Sequence, residues 1–454
     1  MKHFVGIAGS GMRNLAMIAR ARGEVVSGSD RSFDQGNLTG VRDRLAAAGV
    51  AIHRQDGSGV TNEVTELVVS TAVEAAIPDM VRARRLNIPI THRADYMAQL
   101  VNAGRGIAVA GTSGKTTITG MIVHILHHCA WSPSFLLGGE LLTEDGAESP
   151  GHGLGRSDWW CYETDESDGS IAKFTPEAGV LSNISKDHHD MSHLQELFAG
   201  FLHACASFIV IPAPCPLPTD LLPRRRTITF SISVDADCTA RDIIPLEWGS
   251  RFTIDGVSFQ LRVPGKHNVA NALAATAVTR ELGIDLRLIS AALHEFHGIK
   301  RRMNRVGVHN GITVIDDFAH NPDKMTASIH AARHLGDRIL AVFQPHGFGP
   351  LRFMRRELGE TIAACLEDED EFLLLPVFYA GGTVTRDIGS EDLAADIRAM
   401  GRRSSSFSDR DRLRAYLKSV TRPGDTILIM GARDDTLSMF ARGILNDCIE
   451  QPES

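Results

Sequence analysis

Short apolar runs alternate with helical patterns along most of this chain, and the two patterns predict different elements. Apolar runs bounded by glycine or polar residues predict buried strands, at residues 3–8, 25–29, 66–71, 88–90, 107–110, 159–162, 180–184, 208–211, 313–317, 339–343, 371–376 and 426–430. Apolar positions at helical spacing predict helices at 12–22, 94–102, 118–128 and 269–282, whereas 213–260 reads as β-rich and irregular. Strands that alternate with helices imply parallel sheets, with ligands at the strands' carboxyl ends.

The most informative motif is a glycine-rich turn between the predicted strand 107–110 and the predicted helix 118–128. It reads Gly111-Thr112-Ser113-Gly114-Lys115-Thr116-Thr117. Backbone N–H groups and a helix N-terminus in such a turn cradle phosphate. Lys115 would reach the outer phosphates, and Thr116 would ligate Mg²⁺. Val109 occupies the first glycine position of the full motif, and the alternative is a plain glycine turn. We predict nucleotide binding.

The alternation falls into three units, which predicts an α/β fold of three domains. We expect a Rossmann-like N-terminal domain over 1–103, a central P-loop ATPase domain over 104–302 and a C-terminal α/β Rossmann-like domain over 303–454. The first unit runs strand, glycine turn, helix, strand and Asp30, as in half of a doubly wound sheet. Gly104-Arg105-Gly106 is a candidate hinge.

Carboxylates crowd together after the predicted strand 159–162. Glu163 stands just past the strand end, and Asp165, Glu166 and Asp168 follow it. Such a block requires a cation or a basic partner unless it is a solvated loop. Mg²⁺ prefers oxygen ligands, so Glu163 is a candidate ligand. His188, in the polar cluster after strand 180–184, is a second candidate.

Two further polar clusters precede or follow predicted elements. His267, Asn268 and Asn271 stand where the helix 269–282 begins. Asn268 could cap that helix, or the amides could meet an adenine edge, and the spacing favours neither. Asp316 or Asp317 would lie beside His320 if a helical turn forms there. His346 follows the next strand and would face the same cleft.

Composition and charge exclude several classes of protein. The net charge of −8 argues against a nucleic-acid-binding surface. No stretch of about 18 apolar residues is present, so we expect no membrane span. Seven scattered cysteines lack metal-ligand spacing and indicate reduced thiols in a cytoplasmic protein. The first residues enter a strand and a glycine turn directly, so we expect no secretory signal.

An ordered set of stretches resembles a known family. The stretches run from residue 6 to residue 346, about three quarters of the chain, and read GIAGSGM, SGSD, GTSGKTT, ETDESDGS, SNISKDHHD, PGKHNVANALAA, GIKRRMNR, IDDFAHNP and FQPH. Each is weak alone, but in this order they resemble the Mur ligases, ATP-dependent amino-acid ligases of peptidoglycan precursor synthesis. The similarity is strongest to the members that add alanine.

The resemblance implies a reaction and its participants. An amino acid, L-alanine or a similar one, would be joined to the lactyl carboxylate of UDP-N-acetylmuramate through an acyl phosphate, with ATP and Mg²⁺ as cofactors. The three domains would bind the UDP-sugar, ATP and the amino acid. The partners would be these small molecules, without nucleic acid or membrane, and the protein would be a cytoplasmic monomer or weak homodimer.

The resemblance also implies site residues, matched stretch by stretch. The catalytic set is Lys115, Glu163 and His188, with Thr116, Glu163 and His188 around the metal. ATP would further meet Gly111 to Thr117, His267, Asn268, Asn271, Arg302, Asp317 and His320, with Arg301 or Arg302 at the hinge between the second and third domains. The UDP-sugar would meet Gly9, Ser10, Gly11, Met12, Asp30, Ser70 and Thr71. For the amino acid, where this chain departs from the family pattern, we predict contacts with His346, Arg352 and Arg433.

The chain departs from the alanine-adding pattern after FQPH. Gly347 and Pro350 stand where that pattern expects arginine, and Arg352 is the nearest arginine that remains. A guanidinium binds a carboxylate through two parallel hydrogen bonds, which glycine cannot replace. Arg433 could supply the missing charge. Two alternatives stay open: a ligase that recycles murein tripeptide with the same UDP-sugar, and a non-catalytic nucleotide-binding regulator.

Overall fold

The computed structural model describes residues 1–71, 73–166, 169–185, 191–379 and 385–449. The chain forms two compact units. The first comprises Met1–Leu141, Ser149–Cys238 and Leu273–Ala292, and the second comprises Leu142–Glu148, Thr239–Ala272 and Leu293–Ser454. The domain boundaries after residues 103 and 302 stay predictions.

The N-terminal part of the first unit is a five-stranded parallel sheet in the order β3-β2-β1-β4-β5. Its strands are β1 (Lys2–Val5), β2 (Val26–Ser29), β3 (Ala51–His53), β4 (Glu66–Val69) and β5 (Ile90–His92). Its helices are α1 (Ser10–Ala21), α2 (Arg31–Asp34), α3 (Thr39–Ala47), α4 (Pro78–Arg85) and α5 (Arg93–Val101). This strand order, 3-2-1-4-5, is that of a doubly wound Rossmann sheet without its sixth strand.

The second sheet has eight strands in the order β10-β7-β11-β6-β12-β13-β14-β15. The strands from this part of the chain, with the β8–β9 hairpin, are β6 (Arg105–Ala110), β7 (Ser134–Leu136), β8 (Leu141–Leu142), β9 (Glu148–Ser149), β10 (His152–Gly153), β11 (Trp159–Glu163), β12 (Ala178–Leu181), β13 (Phe208–Pro212), β14 (Arg226–Ser231) and β15 (Cys238–Thr239). The helices are α6 (Lys115–His128) and α7 (Met191–Ala204), with 3-10 turns at Ser170–Lys173 and Thr219–Leu221.

The remaining strands form two sheets. A three-stranded antiparallel sheet contains β16 (Arg241–Pro245), β17 (Ser250–Ile254) and β18 (Val257–Leu261). A six-stranded sheet has the order β19-β20-β24-β21-β22-β23. Its strands are β19 (Asn304–His309), β20 (Ile312–Asp317), β21 (Arg338–Gln344), β22 (Glu371–Leu374), β23 (Arg403–Ser406) and β24 (Asp425–Gly431). All its neighbouring pairs are parallel except β19 with β20.

The helices from this part of the chain are α8 (Lys266–Glu281), α9 (Leu286–His294), α10 (Pro322–Ala332), α11 (Phe348–Cys365), α12 (Ser390–Ala399), α13 (Arg410–Val420) and α14 (Leu437–Ile449). Helix α10 shows why a helix begins where it does. Pro322 occupies the first turn, where a missing N–H costs nothing, and the side chain of Asn321 accepts from Lys324 N at 3.0 Å. No helix among the described residues is long and apolar enough to cross a membrane.

Parallel strands that are covered on both faces read as continuous apolar runs. Every residue of β21 and β24 is buried, and the predicted runs 339–343 and 426–430 lie inside these two strands. The predicted run 88–90 is displaced, because the strand is Ile90–His92. Arg105 and Gly106, predicted to belong to a hinge, begin β6 instead.

A buried polar network joins β1 and β2 of the first sheet to α4. The ring of His3 meets Ser27 Oγ at 2.9 Å and Ser29 Oγ at 3.4 Å, and Ser29 donates to Asp79 Oδ2 at 2.5 Å. All four side chains are fully buried. Burial lowers the pKa of His3 to about 4, aided by the neighbouring His53, and burial raises the pKa of Asp79. His3 is therefore neutral at pH 7.

We expect acid to loosen this sheet through His3. The unfolded chain takes up a proton near pH 6.5 and the folded one near pH 4, so the stabilisation is complete above pH 6.5 and declines as the pH falls toward 4. The loss should reach about 3 kcal/mol. Hydrogen exchange of β1, corrected for intrinsic rates, should show a smaller acid-induced loss of protection in His3→Gln than in the unmodified chain. The exposed His92→Gln is the control, and parallel curves for all three proteins would contradict the assignment.

Candidate nucleotide and ligand sites

The glycine-rich turn predicted to bind phosphate joins β6 to α6. Gly111 and Gly114 have φ of 127° and 84°, values that side chains of L-residues rarely adopt. A Cβ on Gly111 would stand 2.1 Å from Ser182 Oγ and 2.9 Å from the carbonyl oxygen of Asn183. A side chain at position 111 would therefore not fit, because the backbone of the turn lies directly against the end of β12.

Asn183 holds this turn in place. Its Oδ1 accepts from the backbone N–H of Ser113 at 2.9 Å and from Thr112 Oγ1 at 3.0 Å. The backbone N–H of Ser185 donates to Thr112 Oγ1 at 2.9 Å, and Ser182 Oγ donates to the carbonyl of Ser113 at 2.5 Å. The residues after β12 thus fix both sides of the loop. Asn183 lies within the predicted strand 180–184, and no sequence pattern indicated this role.

Lys115 opens α6 and folds back over the turn. Its Nζ donates to the carbonyl of Gly111 at 2.6 Å and to Glu166 Oε2 at 2.8 Å. The ammonium therefore lies at the mouth of the loop, where the outer phosphates of a nucleotide would be. Glu166 was predicted only as part of an acidic block that requires a cation or a basic partner. Lys115 is that basic partner for Glu166.

Thr116 and Glu163 come together beside the loop. Thr116 Oγ1 donates to Glu163 Oε2 at 2.9 Å, and the backbone N–H of Gly138 donates to Glu163 Oε1. A Cβ on Gly138 would stand 3.3 Å from both carboxylate oxygens, so this position is crowded. Two of the three predicted metal ligands are adjacent. His188 lies outside the described residues, as does Asp168, and no group of three carboxylate, histidine or cysteine side chains suited to a metal occurs in the described ranges.

The predicted UDP-sugar turn begins α1. Gly9 precedes the helix, and Ser10, Gly11 and the buried Met12 form its first turn. Asp30 follows β2 and braces the turn, because its two carboxylate oxygens accept from Ala8 N at 2.9 Å and Ser32 N at 2.8 Å.

Arg93, at the start of α5, reaches the same turn. A Cβ on Gly11 would stand 3.1 Å from Arg93 Nη1, so the glycine leaves room for this guanidinium over the first turn of α1. No sequence pattern marked Arg93 as a site residue. Ser70 is half-buried and Thr71 is exposed just past β4, at the carboxyl edge of the same sheet.

Asn14, one turn further along α1, connects this helix to the segment that carries Gly138. Its Nδ2 donates to the carbonyls of Leu137 at 2.9 Å and Gly151 at 3.3 Å, and its Oδ1 lies 3.1 Å from His152 Nδ1. Because Leu137 precedes Gly138 directly, the helix at the predicted UDP-sugar turn is tied to the backbone that holds Glu163. No sequence signal marked Asn14.

His267, Asn268 and Asn271 lie within the first turns of α8. The helix begins at Lys266, so Asn268 is inside it, and of the two alternatives left open for Asn268 the structure excludes capping of this helix. Its Nδ2 instead donates to the carbonyl of Pro264 at 2.7 Å, and its Oδ1 accepts from Asn271 Nδ2 at 3.1 Å. Burial lowers the pKa of His267, while the charge of Asp317 opposes this shift.

The predicted pairing of His320 with Asp316 or Asp317 is wrong. Asp317 accepts from Met303 N at 3.0 Å and from the hydroxyl of Ser328. His320 Nδ1 lies 2.8 Å from the carbonyl of Phe318, because the chain turns before α10 instead of entering a helix at once.

His320 and His346 do meet at the carboxyl edge of the six-stranded sheet. Their ring centroids are 5.0 Å apart. Burial lowers the pKa of His320 well below its usual value, and the nearby Lys324 adds to the effect. The ring is therefore neutral at pH 7 and can accept or donate a hydrogen bond.

Arg301 and Arg302 both contact Phe318. Their guanidinium carbons lie 5.0 Å and 4.4 Å from the ring centroid. Arg301 is buried, donates to the carbonyl of Gly431 at 2.7 Å and lies 3.5 Å from Asp316. Arg302 presents its charge beside Phe318, which lies in the IDDFAHNP stretch.

The arginines near His346 differ in their partners. Arg352 is ion-paired with Asp387 and donates to the carbonyl of Thr385 at 3.0 Å. Arg433 is exposed with φ of 66°, and its side chain forms no hydrogen bond or ion pair with any residue that the structure describes. Because Gln344 pairs with Gly431 between β21 and β24, His346 and Arg433 each follow a paired strand end by two residues.

Three family models match successive parts of this chain. The Mur ligase family catalytic domain matches residues 2–105, the Mur ligase middle domain matches 161–279, and the Mur ligase glutamate ligase domain matches 301–433. UDP-N-acetylmuramate–L-alanine ligases from Gloeobacter violaceus and Geobacter sulfurreducens are 35% and 36% identical over 451 residues, covering 95% of this chain and 93% and 94% of theirs. The chain therefore belongs to the Mur ligase family.

Solved structures share the fold over the whole length. The crystal structure of UDP-N-acetylmuramate-alanine ligase from Thermotoga maritima is 25% identical with a TM-score of 0.79, covering 98% of both chains. A murein peptide ligase from Psychrobacter arcticus is 24% identical with a TM-score of 0.71, covering 99% of both chains. The predicted three-domain α/β architecture is confirmed.

The phosphate loop should not tolerate a side chain at Gly111. In Gly111→Ala the methyl group would overlap Ser182 Oγ, and the positive φ would add strain. We expect nucleotide affinity to fall by about tenfold or more, measured by fluorescence titration with ADP. Gly200→Ala is the matched control, because its Cβ meets nothing within 4 Å in α7. Equal affinities in the two variants would contradict the crowding argument.

Proposed function

We propose that this chain is an ATP-dependent amide-bond-forming ligase that joins an amino acid, L-alanine or a similar one, to the lactyl carboxylate of UDP-N-acetylmuramate. ATP is cleaved to ADP and phosphate, and the product is a peptidoglycan precursor. The observation that carries the proposal is the convergence of Lys115, Thr116 and Glu163 on one glycine turn, in a chain 35% identical over 95% of its length to a UDP-N-acetylmuramate–L-alanine ligase.

The chemistry needs activation of a carboxylate, because oxide is a poor leaving group and phosphate is a good one. A lactyl carboxylate oxygen attacks the γ-phosphorus of ATP, ADP leaves, and an acyl phosphate forms. The neutral amine then attacks the acyl carbon. The tetrahedral adduct loses a proton to a base or solvent, the carbon–oxygen bond to phosphate breaks, and an amide and inorganic phosphate result.

The residues beside the loop fit this chemistry. Lys115 and the N–H groups of the turn bind the outer phosphates and neutralise charge that moves onto the transferring group. Thr116 Oγ1 and Glu163 Oε2, 2.9 Å apart, are the hard oxygen donors that Mg²⁺ prefers, and His188 is the third proposed ligand. When bound, Mg²⁺ supplies positive charge beside the β- and γ-phosphates.

The remaining predicted residues are proposed to hold the rest of the substrates. Adenine and its surroundings would meet His267, Asn268, Asn271, Arg302, Asp317 and His320. The UDP-sugar would meet the turn Gly9 to Met12, with Arg93 over it, and Ser70 and Thr71. A helix N-terminus with an arginine beside it suits a diphosphate.

Phosphate release tests this function directly. Release should require ATP, UDP-N-acetylmuramate and an amino acid together, and Lys115→Ala should lower kcat/KM by about a hundredfold or more. The exposed Lys418→Ala is the control and should be unaffected. Phosphate release from ATP alone would indicate an ATPase. Nucleotide binding without turnover would indicate a regulator, and a preference for murein tripeptide over L-alanine, glycine and L-serine would indicate a recycling ligase.

Arg433 is the proposed anchor for the amino-acid carboxylate. The backbone on each side of it is fixed, because the carbonyl of Gly431 accepts from Arg301 and Asp434 accepts from Arg410 at 2.7 Å. Arg352, the alternative, already has a carboxylate partner in Asp387. A fixed loop that presents an unpaired guanidinium near His346 suits a carboxylate ligand.

Arg433→Gly should raise the KM for the amino acid by about 10- to 100-fold, with the KM for ATP unchanged. Glycine suits the positive φ at this position, so the loss would not come from backbone strain. Steady-state kinetics with saturating ATP and UDP-sugar measure the effect. Arg356→Ala, at a side chain that is 91% exposed, is the control. An unchanged KM in Arg433→Gly would remove this assignment.

A further inference from the structure

The Lys115–Glu166 ion pair lies inside the phosphate site and does not belong to the metal site beside it. Lys115 Nζ is 2.8 Å from Glu166 Oε2, and the side chains are only 19% and 9% exposed. Glu163, by contrast, binds Thr116 and Gly138. The two glutamates therefore have separate contacts, and Glu166 acts on the lysine.

A carboxylate in this position competes with phosphate. The ammonium has three N–H donors; Gly111 O takes one at 2.6 Å and Glu166 takes another. A triphosphate that binds Lys115 must either displace Glu166 or share the ammonium with it. Because the pair is largely shielded from water, screening does little to weaken this competition.

We propose that Glu166 is a positioning residue that directs Lys115 over the loop and binds it again each time the nucleotide leaves. The carboxylate stands in for a phosphate oxygen, so the lysine is already directed into the loop before ATP arrives. The cost is weaker nucleotide binding and the benefit is faster release of ADP. This inference rests on the proposed function, since it takes the loop to be the ATP site.

Glu166→Gln tests the inference by nucleotide binding alone. The amide keeps the size of the side chain and removes the charge, so the dissociation constant for a fluorescent ADP analogue should fall about tenfold. The dissociation rate, followed by stopped flow, should slow to a similar extent. Glu166→Asp keeps the charge at shorter reach and should give an intermediate value. The exposed Glu63→Gln is the matched control and should bind like the unmodified chain.

A double-mutant cycle with Lys115→Met shows whether Glu166 acts through Lys115. In the Lys115→Met background, Glu166→Gln should change affinity by less than about twofold. The same tenfold gain in that background, or no gain in the single variant, would overturn the inference. If the unmodified chain binds and turns over ATP, such a result leaves the proposed function intact. Failure of the unmodified chain to bind ADP would instead reject the proposed function.

Discussion

The register of three adjacent parallel strands is the constraint on which the predicted nucleotide site depends. β6 lies between β11 and β12, with Val109 opposite Glu163 and Ala110 opposite Leu181. The glycine turn, Glu163 and Asn183 therefore emerge at one edge of the sheet. Asn183 accepts from Ser113 N of the turn, and Glu163, the predicted metal ligand, accepts from Thr116 just after it. A shift of one residue in either strand pair would send alternate side chains to the other face of the sheet and separate these groups.

At this edge of the sheet, glycines leave space for the neighbouring chain, and polar side chains form the hydrogen bonds and the ion pair. A Cβ on Gly111 would overlap Ser182 Oγ at 2.1 Å, and a Cβ on Gly138 would crowd the Glu163 carboxylate at 3.3 Å. Beside these glycines Lys115 pairs with Glu166, and Thr116 donates to Glu163. Asn14 of α1 donates to the carbonyl of Leu137, directly before Gly138, and so connects the N-terminal turn to this edge. Hydrogen bonds of Asn14, Glu163 and Thr116 thus connect the predicted UDP-sugar turn to the predicted nucleotide turn.

Local patterns predicted the elements, and long-range register decided the contacts. The loop, the strand before it and Glu163 could be predicted because each depends on a few consecutive residues. The contact of Asn183 with Ser113 joins residues 70 positions apart, and no periodicity reveals it. The expected His320 partner was wrong for the same reason: Asp317 is taken by groups 14 and 11 positions away in the chain. Arg352 likewise forms an ion pair with Asp387, which lies 35 positions further along the chain and could not be recognised from local spacing.

The loop around Lys115 is proposed to activate a carboxylate by giving it a phosphoryl leaving group. The most direct measurement uses UDP-N-acetylmuramate labelled with ¹⁸O in the lactyl carboxylate, together with ATP, Mg²⁺ and the accepted amino acid. Mass spectrometry of the released phosphate should find one labelled oxygen for each amide formed, because the carboxylate oxygen that attacks phosphorus leaves with it. Phosphate without label, released in step with amide formation, would contradict the acyl-phosphate route.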